Sequence, residues 1–184
     1  MWISDVSVQK PVFAVMLSAA LVALAAATTT MIPGAAGALT PSPMYRRLVI
    51  DGHVIRRFPC SLGDEVETTH EFDDVRFVSR IWEEQIRGGW RVDVRASVLR
   101  GRPLRSSTDL RRWFVAYQER PLEEAGVRGV ALAGRRVWLG HDQAFWLTRP
   151  GVAVAVTVDR RAHPRSELIA AATSTLEVRA RRTS

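Results

Sequence analysis

The chain has 184 residues, of which 47% are hydrophobic and 24% are charged, and its formal net charge is +7. This is ordinary composition for a globular domain. The single cysteine, Cys60, excludes an intrachain disulfide and a zinc site built on several cysteines. All basic residues except Lys10 are arginines, which is typical of a GC-rich bacterial genome and also suits recognition of phosphate or carboxylate by guanidinium groups.

The N-terminal segment is apolar. No charged residue lies between Pro11 and Tyr45, and residues 12–32 are long enough to span a membrane. Small residues that would suit a signal-peptide cleavage site occur at 25–27 and at 36–38. We therefore expect residues 1–38 to be either a membrane anchor or a cleaved signal peptide.

The opening residues MWISDVSVQKPVFAVMLSAALVAL resemble the start of resistance-nodulation-division transporters. In that family a short amphipathic stretch, a basic residue and Pro-Val-Phe-Ala lead into the first membrane helix. The resemblance covers residues 1–24, and no later segment has the character of a second span. It implies that the N-terminus is retained as an anchor. Basic residues near both ends leave the orientation open, and we expect the C-terminal domain to be exported.

The rest of the chain divides into three parts. Residues 39–43 contain Thr-Pro-Ser-Pro and indicate a stiff linker. Residues 44–178 have the length and patterning of one globular domain, and residues 179–184 form a basic tail.

In the first half of this domain, Asp51-Gly52 between two apolar triplets predicts a hairpin. Residues 59–71 have the composition of a loop. Apolar residues then recur at helical spacing, and with the flanking aspartates and glycines they predict a helix over residues 73–87. Residues 90–100 alternate between apolar and polar side chains, which predicts a half-buried strand.

In the second half, Ser106 and its neighbours precede a helical apolar pattern that includes Leu110 and Trp113. Four short strands follow, predicted at residues 130–132, 136–139, 143–148 and 152–158, and a last helix then carries Leu168, Ile169, Ala172 and Leu176 on one side. The predicted fold class is α+β: an N-terminal hydrophobic helix, then one small domain with a mainly antiparallel sheet covered by about three helices.

An acidic segment, residues 64–74, contains six carboxylates and no arginine. Clustered oxygen ligands suit calcium, but the spacing is not that of the twelve-residue calcium loop, so we assign no metal site and no cofactor. His70, Asp73 and Asp74 are the candidate residues for an alternative function as a small hydrolase. No recognised catalytic motif supports it, and no catalytic residue is assigned.

A basic stretch follows the acidic one and provides the candidate binding residues. A basic surface of this kind suits anionic lipid or an envelope polymer. Nucleic acid is disfavoured because the aromatic residues nearby, Trp90, Trp113 and Phe114, occupy core-type positions. The candidate binding residues are Arg91, Arg95, Arg100, Arg102, Arg105, Arg111 and Arg112.

These features together favour a membrane-anchored or secreted protein of the bacterial cell envelope. We expect its domain to be a non-enzymatic binding or accessory module. One alternative is the small hydrolase, and another is a cytosol-facing regulatory domain whose basic face contacts lipid or nucleic acid.

Overall fold

The computed structural model describes residues 45–60, 63–119, 121–122, 124 and 126–178. The predicted anchor, linker and basic tail therefore lie outside the described residues. The strands are β1 (Tyr45–Ile50), β2 (His53–Pro59), β3 (Asp64–Phe72), β4 (Val75–Ile86), β5 (Gly89–Gly101), β6 (Arg128–Leu132), β7 (Arg135–Leu139), β8 (Gln143–Arg149), β9 (Val152–Val158) and β10 (Thr175–Glu177). The helices are α1 (Ser107–Gln118) and α2 (Arg165–Ser174).

The strands form two sheets in which all neighbours are antiparallel. The small sheet has three strands in the order β1-β2-β10. The large sheet has seven strands in the order β3-β4-β5-β9-β8-β7-β6. Most strands in each sheet follow one another through tight hairpins, which suit antiparallel pairing.

Each face of the large sheet has its own hydrophobic core. On one face, Trp82 and Trp146 pack with Phe58 of the small sheet and Leu168 of α2. On the other face, α1 packs its own aromatic residues against the sheet, and the ring of Phe114 stacks on Phe145 with a centroid distance of 4.0 Å. The central strands are therefore covered from both sides.

The predicted α+β fold, with about three helices covering the sheet, is wrong. The described part of the protein is β-rich, with two sheets and two helices, and a second sheet occupies part of the position expected for helices. The segment predicted as a helix at residues 73–87 is mostly β4, and the predicted loop at 59–71 contains β3. The last predicted helix ends at Ser174, and the chain continues as β10.

Burial of β4 on both faces explains the false helical pattern. Val75 and Phe77 belong to the core beneath α1, whereas Trp82 belongs to the core beneath the small sheet. A strand with apolar residues on both faces loses strict alternation and can imitate helical spacing. Asp73 and Asp74, which suit a helix start, instead adopt positive φ angles of 48° and 57° and form the β3–β4 turn.

Other predicted elements are confirmed. The β1–β2 turn lies at Asp51-Gly52, and both residues have positive φ. Ser106 caps α1, since its Oγ accepts a hydrogen bond of 3.1 Å from the backbone N–H of Asp109. The strand at 90–100 and the four later strands are present as β5 to β9. Within the described ranges, neither helix is long and apolar enough to cross a bilayer.

Leu168 and Leu176 provide a test of this architecture, because the first is fully buried and the second is 44% exposed. Leu168→Ala should lower the free energy of unfolding by about 2–5 kcal/mol, since it leaves a cavity between α2 and the large sheet. Leu176→Ala should change it by no more than about 0.5 kcal/mol. Urea denaturation followed by tryptophan fluorescence measures both, and similar losses would contradict the placement of α2.

Candidate functional site

The predicted binding arginines are drawn into separate local contacts, as Arg91 shows most clearly. Its Nε donates a hydrogen bond of 3.0 Å to Asp93 Oδ1 and lies 3.2 Å from Asp159 Oδ2. Its Nη2 donates to Glu84. Because Asp93 is buried, this network compensates a carboxylate within the fold, and it uses the guanidinium group of Arg91 in doing so.

Five other candidates also have local partners or exposed positions. Arg100 ties the tip of the β1–β2 hairpin to the large sheet, with its Nη2 donating a hydrogen bond of 2.8 Å to the carbonyl oxygen of Asp51. On α1, Arg112 pairs with Asp109, and Arg111 lies over the ring of Trp138. The remaining two candidates are exposed in the loop before α1, namely Arg102 and Arg105.

Arg95 differs from these because it is half-buried and yet has no counterion in the described part of the chain. It lies on β5, and its Nε is a buried donor without a hydrogen-bond partner among the described residues. Asp93, on the same face of β5, already accepts a hydrogen bond from Arg91. Glu65 and Glu67 of β3 lie on the opposite face of the sheet, where they pair with Arg80 at 3.0 and 3.3 Å. A half-buried cation in this position is available to a ligand.

The strand register places Arg95 on the same face of the large sheet as α1. Ile81 and Thr157 lie directly opposite Arg95 on the two neighbouring strands, and Val66 lies opposite Ile81. The next row toward α1 contains Ser79 and Ser97, whose hydroxyl groups share a hydrogen bond of 2.8 Å. Arg95 therefore has the hydroxyl groups of Ser79 and Ser97 on one side and the apolar side chains of Ile81 and Val66 on another.

Two titratable rings lie within electrostatic range of Arg95. Burial, and then the charge of Arg95, lower the pKa of His70 below its usual 6.5. Burial raises the pKa of Tyr117, and the charge of Arg95 opposes that increase. Both rings contact Phe77, with centroid distances of 4.2 Å for His70 and 5.1 Å for Tyr117. They are therefore positioned by the same core residue.

We call Arg95, His70 and Tyr117, together with Val66 and Ile81, the Arg95 cluster. Its His70 Nε2 is a second buried polar atom without a hydrogen-bond partner in the described part of the chain. His70 is neutral at pH 7 because its pKa is lowered. The cluster therefore carries a single positive charge, from Arg95, and its polar chemistry suits the binding of an oxyanion.

Of the three residues of the hydrolase alternative, only His70 belongs to this cluster. Asp73 and Asp74 are exposed in the β3–β4 turn, whereas the ring of His70 stacks on Phe77. Across the described ranges, no group of three or more His, Cys, Asp or Glu residues is arranged to hold a metal ion. The hydrolase stays an untested prediction.

Sequence reasoning singled out Arg95 only as one of seven arginines. It missed the contribution of Tyr117 because that residue belongs to the apolar stripe of α1. It also missed the proximity of His70 to Arg95, because β3 was predicted as a loop and β4 as a helix. The neighbourhood emerges only when residues 64–101 are paired as three antiparallel strands.

Comparison with known proteins does not extend this description. No family model, no curated protein and no solved structure matches the chain.

Arg91 and Arg95 should respond in opposite ways to loss of their charge. Arg91→Gln should lower the free energy of unfolding by about 1–3 kcal/mol, because it leaves the buried Asp93 without its charged partner. Arg95→Gln should leave that free energy unchanged or higher, because it removes a half-buried cation without a counterion.

Chemical denaturation of the two variants beside the wild type measures this difference. The two substitutions are chemically identical and lie on the same strand, so each serves as the control for the other. A loss for Arg95→Gln as large as that for Arg91→Gln would show that Arg95 has a structural role.

Proposed function

We propose that the protein is a non-enzymatic binding module of the bacterial cell envelope, anchored by residues 12–32, with its domain exported and its small sheet lying against anionic lipid headgroups. The supporting observation is the composition of the outer face of the small sheet, where exposed apolar side chains are flanked by arginines.

The apolar part of this face is a row across three strands. Val49 pairs directly with Val54, and Val54 pairs with Leu176, so the three side chains lie on one face, with the buried Val54 between the exposed Val49 and Leu176. Val49 is 47% exposed, and Val178, just after β10, is 49% exposed. Large exposed aliphatic side chains grouped in this way are typical of an interaction surface.

The basic part of this face flanks the apolar row. Arg47, Arg56 and Arg57 are exposed on β1 and β2, and the guanidinium group of Arg57 lies 4.7 Å from the ring centre of Tyr45. Arginine and tyrosine place an apolar stem or ring near acyl chains and a polar end among headgroups. Each arginine near an anionic bilayer contributes about 1 kcal/mol of attraction.

The position of the small sheet in the chain also supports contact with lipid headgroups. β1 begins at Tyr45, and only residues 40–44 separate it from the apolar segment that ends at Leu39. Five residues span at most about 18 Å even when fully extended. A domain tethered this closely stays within reach of the bilayer, and the arginines of residues 179–184 follow β10 directly.

Fluorescence quenching by lipid tests which side of the domain faces the bilayer. The full chain, with Cys60→Ser to remove the native thiol, is reconstituted in anionic vesicles that contain headgroup-labelled quencher lipid. A fluorophore attached to the cysteine of Leu176→Cys, on the small sheet, should be quenched. A fluorophore on Ala116→Cys should be quenched far less, because Ala116 is exposed on α1, on the opposite side of the large sheet.

The double variant Arg56→Glu, Arg57→Glu should reduce quenching at position 176, and so should an increase in salt, because both weaken attraction to the headgroups. Replacement of Arg128, which is exposed on β6, by Glu serves as the matched control. Equal quenching at positions 116 and 176 would refute the proposed orientation.

A reporter fusion tests the exported location. Alkaline phosphatase fused after Ser184 should be active in intact cells, and mass analysis should find the full-length chain in the membrane fraction. An inactive fusion would support the cytosol-facing alternative. A chain shortened by residues 1–27 or 1–38 in the medium would support secretion after cleavage.

A further inference from the structure

We propose that the Arg95 cluster is a binding site for a carboxylate attached to a small apolar group. This site lies on the opposite face of the large sheet from the small sheet, and the inference does not depend on the proposed membrane contact.

The uncompensated charge of Arg95 is the first reason. Arginine stays protonated throughout the physiological pH range, and a buried donor without a partner costs free energy in the absence of a ligand. Asp93 of the same strand is already paired with Arg91, and the β3 glutamates that pair with Arg80 lie on the opposite face of the sheet. A carboxylate supplied from outside would accept hydrogen bonds from the fork of Arg95 without breaking these pairs.

The charge balance of the cluster indicates a monoanion. His70 lies near the positive charge of Arg95 and is itself neutral at pH 7, so its Nε2 adds a polar group without adding charge. A site with one net positive charge is neutralised by a carboxylate, whereas a phosphate at this pH brings between one and two negative charges. Charge complementarity therefore favours the carboxylate.

The apolar side chains beside Arg95 indicate what the carboxylate is attached to. Ile81 lies directly opposite Arg95 in the register and is half-buried, and Val66 lies next to it and is 43% exposed. They form an aliphatic surface on the same face of the sheet as the guanidinium group. A ligand with a short aliphatic body would cover this surface and remove it from water.

The test uses the full chain reconstituted in nanodiscs of zwitterionic lipid, with 3-methylbutanoate as the probe. Saturation-transfer NMR titrations should show binding to the wild type that weakens at least about tenfold in Arg95→Gln, because the charged fork is lost. Arg128→Gln, which removes an exposed arginine from the other edge of the same sheet, should bind as the wild type does.

Two related probes examine the chemistry of the ligand. The neutral isostere 3-methylbutanamide should bind at least about tenfold more weakly, because it lacks the charge. Inorganic phosphate should also bind more weakly, because it lacks the aliphatic body. Equal binding of either compound would overturn the assignment of an apolar carboxylate.

A second variant tests the proposal separately, in case Arg95→Gln does not fold. Val66→Glu changes an exposed side chain on an edge strand and should weaken 3-methylbutanoate binding by placing a like charge beside the carboxylate. No binding by the wild type, or unchanged binding in both Arg95→Gln and Val66→Glu, would overturn the proposal. Failure here would leave the lipid-quenching result at position 176 unaffected.

Discussion

Burial of the large sheet on both faces is the constraint on which the rest of this structure depends. Val94, Ala96 and Val98 of β5 are fully buried toward the small sheet and α2, while Leu99 of the same strand is fully buried toward α1. A strand covered on both sides has few positions for polar side chains, so a charged residue on such a strand needs either a partner or an uncovered part of the face.

The face of the sheet that α1 packs on changes in character along β4 and β5. The helix ends at Gln118, whose side chain amide donates a hydrogen bond of 2.7 Å to Gln143 Oε1 on β8. On β4 and β5 the same face changes from aromatic to polar, with the buried, hydrogen-bonded Ser79 and Ser97 followed by the half-buried Arg95. Strand register therefore decides where the proposed ligand site lies.

The two proposed surfaces lie on opposite sides of the domain, and this arrangement gives them compatible roles. The small sheet packs on one face of the large sheet, and the Arg95 cluster lies on the other. With the small sheet against headgroups, the Arg95 cluster would face water and remain accessible to a soluble carboxylate. The ion pair of Arg100 with Asp51 links the two sheets and holds the hairpin of the small sheet in place.

The sequence by itself determined the elements whose signals are local: the Asp51-Gly52 turn, the Ser106 cap of α1, the alternation of β5 and the hairpins from β6 to β9. Tertiary structure decided the identity of β4, because burial on both faces removes the periodicity that separates strand from helix. It also decided that the half-buried Arg95 has no counterion among the described residues while Arg91 has three, since ion pairing depends on strand register and on partners as distant as Asp159. Composition supplies the arginines, but only the folded sheet determines which of them find a counterion.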